Sequence, residues 1–367
     1  MIYKGLAFVI GLLSLPIEWV ISLLPIQRSG RHVIVRMDQI GDFLLSRGFL
    51  SAVTRKYPDT VLVINSSVKS VASLCFPSTE LVAVNLKKFR LNVVYRIITL
   101  IQLRRLGAEC VIHPVYSRHH FIVDSDAIIR ASGASRKIGF WGENLGGLRQ
   151  WAARFGAFWY TDLVDTQAIH DSDKYLDLSR FLGIECAPLY SVEVPDSTFK
   201  VSTPYVVVFP VANTWQRQWP VSEWIATLKQ MQTPDLTLVI SGDKSSPVID
   251  AIKNEGLINL VDMVGKTSVV ELLSLLKGAQ WCVGVDGGGI HLSSSVGTRT
   301  LAIVGGGHWG RFLPYPSDQP GPVTLGYKMD CYGCRWQCIY PNETHVPCIA
   351  NISHVDVVRG LKEWSLK

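Results

Sequence analysis

The sequence has 367 residues, which is enough for about two domains that each bury a core. Its 48% hydrophobic and 18% charged residues indicate a globular protein and exclude a disordered one. The 36 basic and 30 acidic residues give a net charge of +6, spread without the basic runs of a nucleic-acid channel. We therefore expect no nucleic-acid partner; mild basicity suits anionic small molecules or an anionic membrane surface.

An apolar stretch, GLAFVIGLLSLPIEWVISLLPI, occupies residues 5–26. Its single charge, Glu18, and its internal Pro16 make a membrane-spanning helix marginal. The pattern favours a helix lying in the membrane interface, or two short segments bent at Pro16, and an apolar helix packed on the neighbouring domain is the alternative. Residues expected at the lipid headgroups are Lys4, Trp19, Arg28 and Arg31.

From residue 32 onward, short apolar stretches alternate with helical ones, which is the pattern of a parallel sheet covered on both faces. Five strands are predicted first, at residues 32–36, 61–64, 81–84, 110–114 and 137–140. A second series follows at residues 205–209, 236–241, 259–264, 281–285 and 300–304. The fold class is therefore α/β, with two Rossmann-like parallel-sheet domains that we expect to face a cleft.

The predicted organisation has five parts. They are an apolar membrane-associating segment (1–30), an N-terminal domain (31–188), a linker (189–204), a C-terminal domain (205–350) and a C-terminal helix (351–367). A variant lacking residues 1–28 is expected to leave the membrane with both domains still folded. Ligands of open parallel sheets bind outside the carboxyl ends of the strands, so the loops there carry the functional candidates.

The first candidate loop, MDQIGD, follows the strand at residues 32–36 and ends at Asp42, where the next helix begins. A carboxylate is ionised at neutral pH and is able to accept a proton from a sugar hydroxyl, so Asp42 is a candidate general base. The alternative is a helix cap. Other candidates for a base are His113, His119 and His120.

The stretch GVDGGGIHLSSSVGT, residues 284–298, predicts a strand, a glycine-rich turn at residues 286–289 and a short helix at residues 290–297. Glycines allow a ligand to approach the backbone, and free N–H groups at the helix start favour an anion such as phosphate. Asp286 is alternatively a helix cap. A second loop, FPVANTWQRQWP, presents Arg217, whose guanidinium suits a phosphate.

The eight cysteines do not form a secreted scaffold, since four are scattered singly in apolar surroundings, as in a reducing compartment. The other four are clustered with the spacing C-x2-C-x3-C-x9-C, which could hold zinc. These four are Cys331, Cys334, Cys338 and Cys348. Any such metal is expected to be structural.

Taken together, these motifs resemble glycosyltransferase family 9, the ADP-heptose:lipopolysaccharide heptosyltransferases. The resemblance runs from about residue 32 to 350. It rests on VRMDQIGD, RKIGF, HDSDKYLDLSRFLGI, FPVANTWQRQWP, VGKTSVVELLSLL and GVDGGGIHLSSSVGT. The chain departs from the family pattern at Val211 and Gly287. It also has no acid after LVISGD where relatives place a ribose-contacting Glu, which leaves open whether Asp243 substitutes for it.

The resemblance implies a GT-B fold and metal-independent inversion, with the donor in the C-terminal half and the acceptor in the N-terminal half. It implies that Asp42 is the base, that Arg217 contacts phosphate, and that a donor-binding turn contains Asp286, Gly287, Gly288, Gly289 and His291. No cofactor is required beyond the nucleotide-sugar donor. The expected acceptor is a lipid-linked saccharide at the cytoplasmic surface of the inner membrane.

Two other functions remain open at this point. A GT-B nucleotide-sugar epimerase would share the donor site, although the apolar N-terminal stretch argues against it. A catalytically silent nucleotide-sugar binding protein is the third possibility, and the presence of Asp42 argues against that. A Rossmann dehydrogenase is disfavoured because no G-x-G-x-x-G follows the first strand.

Overall fold

A computed structural model describes residues 2–117, 124–142, 154, 156–186, 191–195, 201, 204–340 and 345–365. The chain divides into two compact units, Met1–Ala187 and Pro188–Lys367. Each unit has its own parallel six-stranded sheet with helices between the strands. The predicted class of two parallel-sheet α/β domains is confirmed.

The sheet of the first unit has the order β3-β2-β1-β4-β5-β6. Ile34 of the central strand pairs with Leu62 on one side and Ile112 on the other, and all three side chains are fully buried. From β1 the chain adds strands toward one edge of the sheet, and from β4 it adds them toward the other edge. This switch leaves a crevice at the carboxyl ends of β1 and β4. The strands are β1 (His32–Arg36), β2 (Val61–Asn65), β3 (Glu80–Val84), β4 (Cys110–His113), β5 (Arg136–Phe140) and β6 (Asp162–Val164).

Seven helices of the described residues flank this sheet. They are α1 (Ile2–Leu23), α2 (Ile40–Lys56), α3 (Lys69–Cys75), α4 (Leu86–Leu91), α5 (Val93–Arg105), α6 (Ser125–Ala131) and α7 (Asp171–Phe181). Helix α2 begins at Ile40, with three residues between it and the end of β1, and two residues before the predicted start at Asp42. Only the first half of the predicted MDQIGD loop therefore connects the strand to the helix.

The second unit repeats the same topology, with the order β12-β11-β10-β7-β8-β9. Val283 pairs with Val208 and Leu301, again in a fully buried centre. The crevice here lies between β7 and β10. The strands are β7 (Tyr205–Phe209), β8 (Thr237–Ile240), β9 (Leu260–Asp262), β10 (Cys282–Val285), β11 (Thr300–Ile303) and β12 (Val323–Leu325).

The helices described in the second unit are α8 (Val221–Met231), α9 (Pro247–Lys253), α10 (Val269–Lys277), α11 (Gly288–Ser295), α12 (Pro347–Ala350) and α13 (His354–Ser365). Trp219 and Trp224, at the start of α8, are fully buried and meet edge to face. The indole N–H of Trp219 donates to the Ile352 carbonyl at 2.8 Å, which fixes the loop before α8.

The N-terminal apolar stretch forms one helix that continues through Pro16, so it is not divided into the two short segments considered from the sequence. Helix α1 packs against α4, α5 and α6 of the first unit. Its buried stripe consists of small or polar residues together with one isoleucine. These buried residues are Ala7, Gly11, Ser14, Glu18 and Ile21.

The opposite surface of α1 carries the large apolar side chains. Leu13 is 70% exposed and Trp19 is 58% exposed. This arrangement is inverted relative to a helix on the surface of a water-soluble domain, which turns its apolar stripe inward. The other exposed apolar residues of α1 are Leu6, Val9, Leu12, Ile17, Val20 and Leu23.

Glu18 explains why α1 stays on the domain. Its carboxylate is 1% exposed and forms ion pairs with Arg96 of α5 and Arg130 of α6, both at 2.5 Å. Removing α1 would break these ion pairs and uncover the surfaces of α4, α5 and α6 that it covers. That the first domain stays folded without residues 1–28 remains a prediction.

No helix among the described residues combines the length and the apolarity that crossing a membrane requires. Two of the predicted basic flanks are already engaged. Arg28 pairs with Glu109 at 3.3 Å and Arg31 pairs with Glu80 at 2.9 Å. The side chain of Lys4 lies outside the described residues.

Candidate active site

The crevice of the second unit brings together the two charged residues that the sequence singled out there. Arg217 ends a short 3-10 turn after β7, and Asp286 follows β10. The Nε atom of Arg217 lies 3.5 Å from Oδ2 of Asp286. Asp286 is almost fully buried, whereas about a quarter of the Arg217 side chain is exposed. The pair therefore presents a cationic surface to the crevice and keeps its carboxylate inside.

Helix α11 begins at Gly288, earlier than predicted, and its N-cap residue is Gly287. No side-chain capping bond is formed, so Asp286 does not act as the cap that we considered as its alternative role. A Cβ atom at Gly288 would meet nothing within 4 Å, so the backbone is open to a ligand at this position. The free N–H groups of this helix start suit an anion.

Gly289 has a different requirement. A Cβ atom there would lie 2.6 Å from ring atoms of Phe209, which is closer than side chains approach. This glycine is therefore needed for the packing of α11 on the end of β7. Of the predicted glycine turn, Gly288 is open to a ligand and Gly289 serves the fold.

His291 lies within α11 and is buried. Its Nδ1 atom is 2.8 Å from the Tyr315 hydroxyl, and the two rings are stacked. Tyr315 therefore fixes the orientation of the imidazole ring. The motif that contains His291 did not indicate this partner, because Tyr315 lies 24 residues further along the chain.

Trp336 was not predicted as part of the site. Its ring lies 5.3 Å from the Arg217 guanidinium carbon, in the arrangement of a cation–π contact. Its indole N–H donates to Nδ1 of His308 at 3.1 Å. Trp336 lies between Cys334 and Cys338. The cysteine spacing therefore drew attention to this segment, but nothing in the sequence indicated that Trp336 contacts Arg217.

In the first unit, Asp42 lies in the first turn of α2, beside the carboxyl end of β1. The N-cap residue is Gln39, and no side-chain capping bond is formed. The structure thus places Asp42 inside the helix rather than at the cap that was its alternative role. The Asp42 side chain is partly exposed at the crevice end of the sheet.

Arg36, the last residue of β1, organises this end of the sheet and was not predicted to do so. It is buried and donates to the carbonyls of Pro114 at 2.7 Å and Asp42 at 2.8 Å, and to the Tyr175 hydroxyl at 2.7 Å. Burial opposes its charge, but Tyr175 and the acids Asp38 and Asp42 raise the pKa of Arg36 above its ordinary value. Arg36 therefore remains cationic beside Asp42.

His113 ends β4, next to β1, and is also buried. Its Nδ1 atom is 2.6 Å from the Tyr160 hydroxyl, which donates to Asp126 at 2.5 Å. With that hydroxyl proton committed to Asp126, Nδ1 of His113 is the donor to Tyr160. The other candidates for a base, His119 and His120, lie outside the described residues.

The four clustered cysteines are all free thiols, and all four line one small cavity. Among the residues that the structure describes, no three His, Cys, Asp or Glu side chains already form a ligand set for a metal ion. The loop that bears Cys331, Cys334 and Cys338 contacts the glycines after β11. The N–H groups of Gly333 and Arg335 donate to the carbonyls of Gly306 and Gly307, both at 2.8 Å.

Comparisons with known proteins show what this chain is similar to. Residues 185–331 match the family model described as glycosyltransferase family 9 (heptosyltransferase). A search of the curated proteins finds no match at a significant level.

Three solved structures share the fold at low sequence identity. The glycosyl transferase family 9 protein from Veillonella parvula has a TM-score of 0.68 at 17% identity, covering 92% of this chain and 98% of its own. The E. coli heptosyltransferase WaaC with ADP-2-deoxy-2-fluoro heptose has a TM-score of 0.64 at 14% identity, covering 91% and 99%. E. coli ADP-heptose lps heptosyltransferase II has a TM-score of 0.65 at 14% identity, covering 92% and 98%.

The family match confirms, over residues 185–331, the resemblance to glycosyltransferase family 9 that the motifs predicted, and the solved structures show that the fold is shared. Both findings support the prediction of a glycosyltransferase.

Proposed function

We propose that this glycosyltransferase moves a heptose or related sugar from a nucleotide diphosphate donor, ADP-heptose in the first instance, to a lipid-linked saccharide acceptor of the lipopolysaccharide type. The observation that carries the proposal is the arrangement of Arg217, Asp286 and Gly288 around the β7/β10 crevice. A cation, an open backbone and a helix start converge there, as a diphosphate requires.

The donor diphosphate would lie over Gly288, with its oxygens accepting from the backbone N–H groups of α11 and from Arg217. Asp286 keeps the Arg217 side chain in place at 3.5 Å. An ADP-heptose donor is supported by the fold shared with the E. coli enzyme whose structure contains ADP-2-deoxy-2-fluoro heptose. The departures at Val211 and Gly287 leave room for another nucleotide sugar.

Transfer would follow a single displacement at the anomeric carbon. Asp42 accepts the proton of the acceptor hydroxyl as its oxygen bonds to that carbon, and the bond to the nucleoside diphosphate breaks with inversion. Arg217 and the start of α11 stabilise the charge that develops on the departing diphosphate. Arg36, whose Nη2 donates to the Asp42 carbonyl at 2.8 Å, positions the base.

The acceptor would be reached at the cytoplasmic face of the inner membrane, with α1 lying in the interface. The large apolar side chains of α1 face outward, and an exposed apolar surface of this kind is typical of membrane or partner binding. The Glu18 ion pairs hold the helix on the domain, which suits a helix that lies on the bilayer. Because Arg28 and Arg31 are engaged in ion pairs, apolar burial would dominate the attachment.

A two-stage experiment tests the proposal. A thermal-shift screen of nucleoside diphosphates and nucleotide sugars identifies the donor class, since a ligand that binds only the folded state raises Tm. The best donor is then incubated with truncated lipopolysaccharide in vesicles. We expect labelled sugar in the lipid fraction and inverted configuration at the new linkage by NMR. Donor interconversion without acceptor would instead indicate an epimerase, and binding with neither reaction would indicate a silent binding protein.

A further inference from the structure

The four thiols of Cys331, Cys334, Cys338 and Cys348 converge on one small cavity of the second unit, beside Gly306 and Trp336. Three come from a single loop and the fourth from α12. None of the four is needed for the transfer reaction described above. Convergence of four thiols from two separate segments is the arrangement of a structural metal site.

Backbone amides point at these sulfurs. The Gly306 N–H donates to Sγ of Cys348 at 3.3 Å, and the Tyr340 N–H donates to Sγ of Cys338 at 3.4 Å. The Trp336 amide makes the same kind of bond to Cys334. Such bonds stabilise negative charge on sulfur, as metal-bound thiolates require.

The loop is held in an unfavourable backbone conformation at the centre of the cluster. Arg335 and Trp336 are consecutive non-glycine residues with φ of 54° and 62°. Side chains rarely adopt this left-handed region, so the surroundings must enforce it. The conformation allows the chain to reverse between Cys334 and Cys338 so that both sulfurs line the same cavity.

We propose that Cys331, Cys334, Cys338 and Cys348 bind one thiolate-coordinated metal ion of the zinc class, and that this ion holds Trp336 against Arg217. In the present arrangement of the described residues the four sulfurs do not form a ligand set, so metal binding requires these side chains to move closer to the ion. Four soft thiolate ligands favour Zn²⁺ over the hard cations that oxygen ligands select.

The link to the donor site follows from Trp336. Its ring lies over the Arg217 guanidinium at 5.3 Å, and a Cβ atom at Gly307 would lie 2.3 Å from the same ring. Trp336 thus fills the space between the cysteine loop and Arg217. Closing the loop around a metal fixes Trp336, and Trp336 then limits the motion of Arg217. This second half of the proposal rests on the donor site proposed above.

Metal analysis of the full chain tests the site itself. We expect about one zinc ion per chain after dialysis. The ion should be lost in Cys334→Ser and retained in Cys186→Ser, a partly buried thiol of the first unit. Because a variant could fail to fold, the wild-type protein is also reconstituted with Co²⁺, for which we expect thiolate-to-cobalt charge-transfer absorption. No metal and no such absorption would overturn the site. Iron found together with an equal amount of acid-labile sulfide would indicate an iron–sulfur cluster and would overturn the proposal of a single metal ion.

Calorimetric titration with the nucleoside diphosphate from the thermal-shift screen tests the coupling. Removing the metal should raise its Kd about three- to tenfold, the range of one cation–π contact. Trp336→Leu should produce a similar rise at unchanged metal content, and Trp336→Phe a smaller one. Trp141→Leu, an exposed residue of the first unit, is the control.

Equal nucleotide affinity with and without metal would overturn the proposed effect of the metal on Arg217. It would not contradict the metal site itself. Failure of both forms to bind any nucleoside diphosphate would overturn the donor site together with the coupling. Metal analysis would still report on the four thiols in that case, so the two failures are distinguishable.

Discussion

Arg217 and Asp286 come from different loops, 69 residues apart, and their charged groups lie 3.5 Å apart at the crevice of the second sheet. Arg217 follows β7 and Asp286 follows β10. These are the two central strands, from which the chain adds further strands toward opposite edges of the sheet. The buried carboxylate neutralises part of the arginine charge and orients it. The two residues should therefore act as a unit.

Arg217→Ala should raise the donor KM, with a smaller effect on kcat, because a phosphate contact is lost in both ground and transition states. Arg217→Lys should recover part of the loss, since it keeps the charge but not the planar fork. Steady-state kinetics over donor concentration measure this. Arg359→Ala, on α13, is the control. Unaltered donor kinetics in Arg217→Ala would remove this residue from the site.

A double-mutant cycle checks the pairing. Asp286→Asn alone should weaken donor binding because it frees Arg217. In the Arg217→Ala background, Asp286→Asn should instead improve binding, since the unpaired carboxylate would otherwise repel the diphosphate. Donor Kd values for the four proteins are the measurement. Additive effects would show that the two residues act independently.

Gly288 and Gly289 are neighbours with opposite requirements and make a matched pair. Gly289→Ala should lower Tm, because its methyl group would meet the Phe209 ring at 2.6 Å. Gly288→Ala should leave Tm unchanged, since nothing lies within 4 Å of the added carbon. It should nevertheless raise the donor Kd, because the methyl group enters the space of the diphosphate. Normal donor binding in a stable Gly288→Ala protein would place the diphosphate elsewhere.

Glu18→Gln should destabilise the first unit by about 3–5 kcal/mol, because the buried Arg96 and Arg130 would both lose the carboxylate with which they form ion pairs. Urea denaturation followed by circular dichroism measures this loss. Glu185→Gln, an exposed acid of the same unit, should change the free energy of unfolding by less than about 0.5 kcal/mol. Equal stability of the two variants would show that the Glu18 ion pairs do not hold α1.

Leu13→Asp combined with Val20→Asp should reduce cosedimentation with anionic phospholipid vesicles at least about tenfold, because both side chains face outward from α1. Val355→Asp, an exposed apolar residue of the second unit, should sediment like the wild type. Salt should have a small effect, since Arg28 and Arg31 are engaged in surface ion pairs. Undiminished sedimentation of the double variant would contradict membrane binding through α1.

The sequence predicted ten of the twelve described strands because each lies in a short apolar run between turn residues. It missed β6 and β12, which are three-residue strands at the sheet edges with little pattern to detect. It also placed the start of α11 too late, since glycines at Gly288 and Gly289 argue against a helix.

The contacts within the sites were beyond sequence reasoning. Glu18 was visible only as a charge in an apolar stretch, because its partners lie 78 and 112 residues away. Arg36 looked like an ordinary strand end, although it links β1, α2 and α7. Such roles depend on which loops the topology brings together, and no local pattern records that.

Asp42 is the residue that we propose as the base for transfer. Asp42→Asn keeps the size of the side chain but is unable to accept the proton, and a positioned base typically contributes about 10²- to 10⁴-fold. We predict that kcat falls about 10²-fold or more in a chemistry-limited assay with saturating substrates, while the donor Kd stays nearly unchanged. Asp59→Asn, at an exposed turn of the first unit, should retain full activity. Near-normal turnover of Asp42→Asn would contradict the role of Asp42 as the base, and His113 would be the next candidate.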